Sequence, residues 1–100
     1  NPWWLRFKAS LIKVLLKKHE EKIVHHIVKN WFDKLRVGDD STSQNLILIG
    51  SVFAIQWIDD KFGIELENAM LASNLTIELR DEANRNRPLI FLKQTIKRGN

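Results

Sequence analysis

Along the first part of the chain, apolar residues recur at spacings of three and four. Trp4, Phe7, Leu11, Val14 and Leu15 share one side, while Arg6, Lys8, Lys13 and Lys17 fall largely elsewhere. Asn1 followed by Pro2 is a helix start, since Asn caps free N–H groups and Pro has its φ preset for the first turn. The pattern predicts a helix from Pro2 to about Lys18. Trp3, Leu5, Ile12 and Leu16 broaden its apolar stripe beyond what one buried face needs, so this helix is expected to touch two neighbours or a partner molecule.

From about His19 to Val37 a second stripe runs through Ile23, Val24, Ile27, Val28, Trp31, Phe32 and Leu35, as adjacent pairs repeating every four residues. The apolar face rotates between Leu15 and Ile23, which predicts two helices meeting near 18–20 rather than one rod. Gly38, Asp39, Asp40 and Ser41 read as a loop, and Ser41 to Gln44 matches a capping box. The run Leu46 to Ile58 then has only Gly50, Ser51 and Gln56 as non-apolar members. The cap and Gly63, read as a left-handed C-terminal residue, bracket it as a central helix apolar all round; its Ile, Val, Phe and Trp content also suits two buried strands.

Glu65 to Ser73 reads as a short fourth helix with acids in its first turn and Asn74 as its end. Leu75, Ile77 and Leu79 then alternate with Thr76, Glu78 and Arg80, the periodicity of a half-buried strand. After a polar turn over 81–87, Leu89 to Leu92 resume strand character behind Pro88, and the two strands read as a β-hairpin. The class expected is α+β: three to four helices around a central apolar helix, followed by a C-terminal hairpin, an order compatible with a winged-helix arrangement.

At 100 residues the chain suits a single domain spanning 1–100, because two halves would each bury too little apolar surface. It opens at Asn1 without an initiator Met and closes on Arg98, Gly99 and Asn100, which looks like a segment of a longer protein. With no Cys, disulfides, thiolate zinc sites and thiol catalysis are excluded, and the compartment is left open. No apolar run reaches the roughly 20 residues a membrane span requires. Asn74-Leu75-Thr76 matches a glycosylation sequon, a loose pattern that carries weight only in a secretory setting.

Charge is distributed in three blocks. Residues 1–38 hold nine Lys or Arg against three acids, 39–72 hold Lys61 against six acids, and 73–100 hold six basic residues against three acidic ones. Within this pattern no catalytic constellation stands out. His19, His25 and His26 lack a third ligand at useful spacing, and the pairs Asp39–Asp40 and Asp59–Asp60 diverge rather than converge on one atom. Ser51 lacks the flanking glycines of a nucleophile elbow, and the four glycines are too scattered to cradle a phosphate. No catalytic residue, metal or cofactor is expected, and the chain is not expected to be an enzyme.

Two interaction readings follow. Trp3, Trp4 and Phe7 crowd an end that ordinarily frays, and Trp is a favoured interface anchor, so a protein–protein interaction or assembly module, self-association included, is the first expectation. The alternative is a winged-helix-like nucleic-acid binder. It would use Lys13, Lys17, Lys18 and Lys22 of the basic helices with Arg80, Arg85 and Arg87 around the hairpin tip.

Overall fold

The computed structural model describes residues 1–83 and 88–89. It is a mixed α+β fold in the order α1 (Pro2–Leu15), α2 (Glu21–Ile27), a π-helical turn (Val28–Phe32), β1 (Arg36–Val37), β2 (Asn45–Gly50), α3 (Val52–Ser73), β3 (Thr76–Asp81) and β4 (Pro88–Leu89). The strands lie in one sheet in the order β1-β2-β3-β4. β1 and β2 are antiparallel, β2 and β3 parallel, and β3 and β4 antiparallel. A parallel pair needs a crossover connection, and α3 supplies it, so β2-α3-β3 is the scaffold on which the other elements rest.

α1 begins as its sequence predicts. The Asn1 side-chain oxygen accepts hydrogen bonds from the N–H groups of Trp3 at 2.8 Å and Trp4 at 3.1 Å, and Pro2 occupies the first turn. The helix stops at Leu15, and α2 starts at Glu21 after a turn, which separates the two helices close to the expected boundary. α2 is shorter than the stripe from His19 to Val37 implies. At Val28 the backbone widens, and the Asp33 N–H donates to the Val28 carbonyl five residues back at 2.8 Å. The widened turn carries Phe32 into the core and sets Trp31 flat against Trp57, ring centroids 3.8 Å apart and planes within 7°.

The expected central helix over Leu46–Ile58 is two elements instead. Leu46 to Gly50 lie in β2, with each of these five residues buried, and the helix begins only at Val52. The cap lies at Ser51, whose hydroxyl accepts from the Ala54 N–H at 3.1 Å. The pattern at 41–44 caps no helix. The Ser41 hydroxyl accepts from the Ile47 N–H at 2.9 Å, and the Thr42 hydroxyl accepts from Gln44 and Asn45, closing the connection into β2. A short hydroxyl side chain serves a turn N–H as readily as a helix N–H, which is why the spacing misleads.

The separate helix expected over 65–73 is the second half of α3. Gly63 has no positive φ and does not end a helix; a kink falls at Phe62 (φ −127°, ψ 19°), and the 22-residue helix continues to Ser73. Asn74, at φ 56° and ψ 38°, ends it in the left-handed conformation that Asn tolerates. The elements therefore run helix, helix, strand, strand, helix, strand, strand. The expected antiparallel pairing of the last two strands is present as β3 and β4, but β1 and β2 stand before α3, so the order is not one of helices alone followed by a strand pair. The segment from 90 onward and the turn 84–87 lie outside the described residues.

The core forms where α1 and α3 cover one sheet face. Phe7, Leu11, Leu15, Phe32, Ile55, Ile58 and Leu66 pack with Leu46 and Leu48 of β2 and Ile77 and Leu79 of β3. Leu46 lies opposite Ile77 and Leu48 opposite Leu79, so the buried positions of the two strands coincide. On the other face Ile47 and Ile49 lie against Gly38, where an added Cβ would come within 2.9 Å of Ile47 Cγ2.

Candidate interaction surface

α1 buries Phe7, Leu11, Val14 and Leu15, which leaves its remaining apolar residues on a different side. Leu5, Ala9, Ile12 and Leu16 follow one another at spacings of four, three and four, and so form a second stripe. Leu5 is 63% exposed and Leu16 44% exposed, with Ala9 exposed and Ile12 half-buried. Ile12 and Leu16 border a cleft of about 210 Å³ between α1 and α2, completed by Glu21, Val24, His25 and Val28. Ile23 of α2 is also exposed. Ile12 packs on the core beside α2, so α1 meets a second neighbour within the fold, while Leu5, Ala9 and Leu16 keep exposed surface.

Trp3, Trp4 and Phe7 separate in role. Phe7 is fully buried and belongs to the core, whereas Trp3 and Trp4 are half-buried and pack on its edge. Trp4 lies near-parallel to Phe7 at 6.2 Å, and the Lys8 ammonium sits 4.9 Å from its ring centroid. Lys8 also pairs with Asp33 at 2.7 Å, so the first turns of α1 are tied to the end of the π-helical turn. Trp3 has no such partners among the described residues and shows part of its ring to solvent.

The basic residues divide likewise. Lys13, Lys17 and Lys22 are exposed and form no ion pair among the described residues. Lys18 is bound to Glu65 at 2.9 Å. The Arg80 Nε donates to Glu78 at 2.8 Å and its terminal nitrogen to Asp40 at 3.2 Å. These bonds, that to Glu78 foremost, raise the Arg80 pKa further above its ordinary value and hold the guanidinium in a local acidic clamp. Arg85 and Arg87 lie outside the described residues. The seven positions expected to form one basic surface thus reduce to three open lysines on α1, the turn after it and α2, two engaged cations and two positions not described.

Among the described residues no group of three or more His, Asp or Glu gathers as a metal site. His25 and His26 are exposed on α2, and Asp39 and Asp40 are exposed in the loop before β2. Among the described residues no helix is long and apolar enough to cross a membrane. Three surface features were not anticipated: Phe53, 69% exposed at the start of α3; the Trp31–Trp57 stack; and an open cleft at the other end of α3. Phe53 and its neighbour Val52, also exposed, stood inside an apolar run that reads as core, and no pattern in that run marks them as left outside. Compared with known proteins, the chain matches no family model, no curated protein and no solved structure.

Proposed function

We propose that this chain is a non-catalytic interaction module that docks or assembles through the outer side of α1. The observation that carries the reading is the stripe of Leu5, Ala9, Ile12 and Leu16, which continues into the cleft against α2 and has Trp3 and Trp4 at the helix start. An exposed apolar stripe with charged residues at its rim has the composition of an interface centre. Sedimentation velocity over a wide concentration range, on the chain and on Leu5→Ser/Leu16→Ser, tests it. Association should weaken about tenfold or more, equivalent to about 1.4 kcal/mol, while the unfolding midpoint falls only modestly, because Leu5 is largely exposed and Leu16 is partly so. A monomer at every concentration, together with partners that all survive the double substitution, refutes the reading.

A second reading, nucleic-acid binding, is favoured by one observation: Lys13, Lys17 and Lys22 are exposed and free of acidic partners among the described residues. Phosphate neutralisation by three lysines gives a salt dependence of about −0.9 per contact in log–log slope. Anisotropy with labelled duplex and single-stranded oligonucleotides at low salt tests this. Replacing the three lysines with Gln should flatten the slope, and undetectable binding at low salt removes the reading.

A further inference from the structure

α3 carries an outer stripe of its own. Phe53, Trp57, Asp60, Ile64, Glu67 and Leu71 follow one another at spacings of four and three, on the side away from the buried Ile55, Ile58, Leu66 and Ala69. Phe53, Ile64 and Leu71 are 69%, 58% and 75% exposed, Asp60 is exposed, and Trp57 and Glu67 are half-buried. The exposed apolar residues thus lie on both sides of the kink at Phe62. Acids are set into this stripe, and the helix as a whole is acidic, with Asp59, Asp60, Glu65 and Glu67 against Lys61.

The outer side of α1 is the converse. Leu5, Ala9, Ile12 and Leu16 have the same four-three-four spacing, Arg6 and Lys13 stand exposed one residue after Leu5 and Ile12, and the helix contains no acid. Helices whose apolar residues recur at four and three can interdigitate side by side. Charge then selects the pairing. Two copies of α1 packed together would bring cations against cations, and two copies of α3 would bring acids against acids. Only α1 against α3 sets Arg6 and Lys13 beside Asp60 and Glu67. The two stripes cannot meet within one chain, because both helices turn their opposite sides to the common core.

We propose that the outer side of α1 on one copy of this chain packs on the outer side of α3 on a second copy. The inference rests on the reading of α1 as an interface and names what covers it. Sedimentation velocity tests it on the unsubstituted chain, on Leu5→Ser/Leu16→Ser, on Phe53→Ser/Leu71→Ser, and on an equimolar mixture of the two variants. Each variant alone should associate about tenfold or more weakly than the unsubstituted chain, because every contact has lost one half. The mixture should associate more tightly than either component, since the intact α3 stripe of the first variant meets the intact α1 stripe of the second.

Charge reversal gives the same signature at exposed positions. Arg6→Glu/Lys13→Glu and Asp60→Lys should bind each other more tightly than either binds itself, and this pair carries the test if a serine variant loses its native circular dichroism. Undiminished association of Phe53→Ser/Leu71→Ser overturns the proposal and leaves the α1 interface in place. Undiminished association of Leu5→Ser/Leu16→Ser takes α1 itself out of the contact and overturns it as well. A mixture no tighter than its components refutes the pairing of unlike surfaces. An unsubstituted chain that stays monomeric at every concentration also refutes it, and a different protein held through Leu5 and Leu16 would then be the occupant of α1.

Discussion

Lys18 lies in the turn that follows α1 and Glu65 in the second half of α3, so their 2.9 Å ion pair ties the end of one helix to the middle of another. The two side chains differ sharply in environment: Glu65 is 9% exposed and Lys18 is 55% exposed. Replacing Lys18 with Met keeps most of the aliphatic stem but removes the ammonium, which leaves a desolvated carboxylate without its cation. A fully exposed pair contributes about 0–1 kcal/mol, and breaking a buried one costs about 3–5 kcal/mol. The wet half of this pair screens it, and the expected cost falls between those limits, at about 1–3 kcal/mol. Lys17→Met, one residue earlier, exposed and without an ion pair among the described residues, should change stability by no more than about 0.5 kcal/mol. Glu65→Gln should cost less than Lys18→Met, because a neutral amide is easier to bury and still accepts from Lys18. The double variant should then recover about 1–2 kcal/mol of the summed losses. Urea unfolding followed by tryptophan fluorescence measures the four variants against the unsubstituted chain. The reasoning fails if Lys18→Met cannot be distinguished from Lys17→Met, or if the double variant is additive.

Phe32→Ala removes a fully buried ring that packs on Phe62 at 5.8 Å. It should cost about 3–5 kcal/mol in chemical denaturation, a large share of what a domain of this size has available. A loss below about 1 kcal/mol would mean that the π-helical turn does not seat this ring in the core. At Gly50 an added Cβ would meet Leu35 Cδ2 at 2.6 Å. Gly50→Ala should therefore cost about 1–3 kcal/mol, and pairing it with Leu35→Val should return part of that loss; a thermal melt in which the second substitution only adds to the first would show that the collision is elsewhere.

Helix starts and stripes were legible because they rest on interactions within a few residues of one another. The Asn1 cap, the break near 18–20, the end of α3 at Asn74 and the alternation through Leu75, Ile77 and Leu79 needed no knowledge of distant parts of the chain. The surplus of apolar residues on α1 was equally visible, since one helix cannot bury two separate stripes against a single neighbour. Leu46 to Gly50 were different. An apolar run with no polar positions has no readable period, and either conformation buries it.

The choice between strand and helix there rested on Ile77 and Leu79, which offer β2 a parallel neighbour some thirty residues later in the chain. The surface was decided the same way. Charge counts along the chain could not distinguish Lys18 and Arg80, held by Glu65, Glu78 and Asp40, from Lys13, Lys17 and Lys22, which have no such neighbours among the described residues. Local sequence determines backbone capping and periodicity because those forces act over one or two turns. Which apolar residues stay outside, and which cations stay open, depends on groups brought together by folding, and only the tertiary structure sets that.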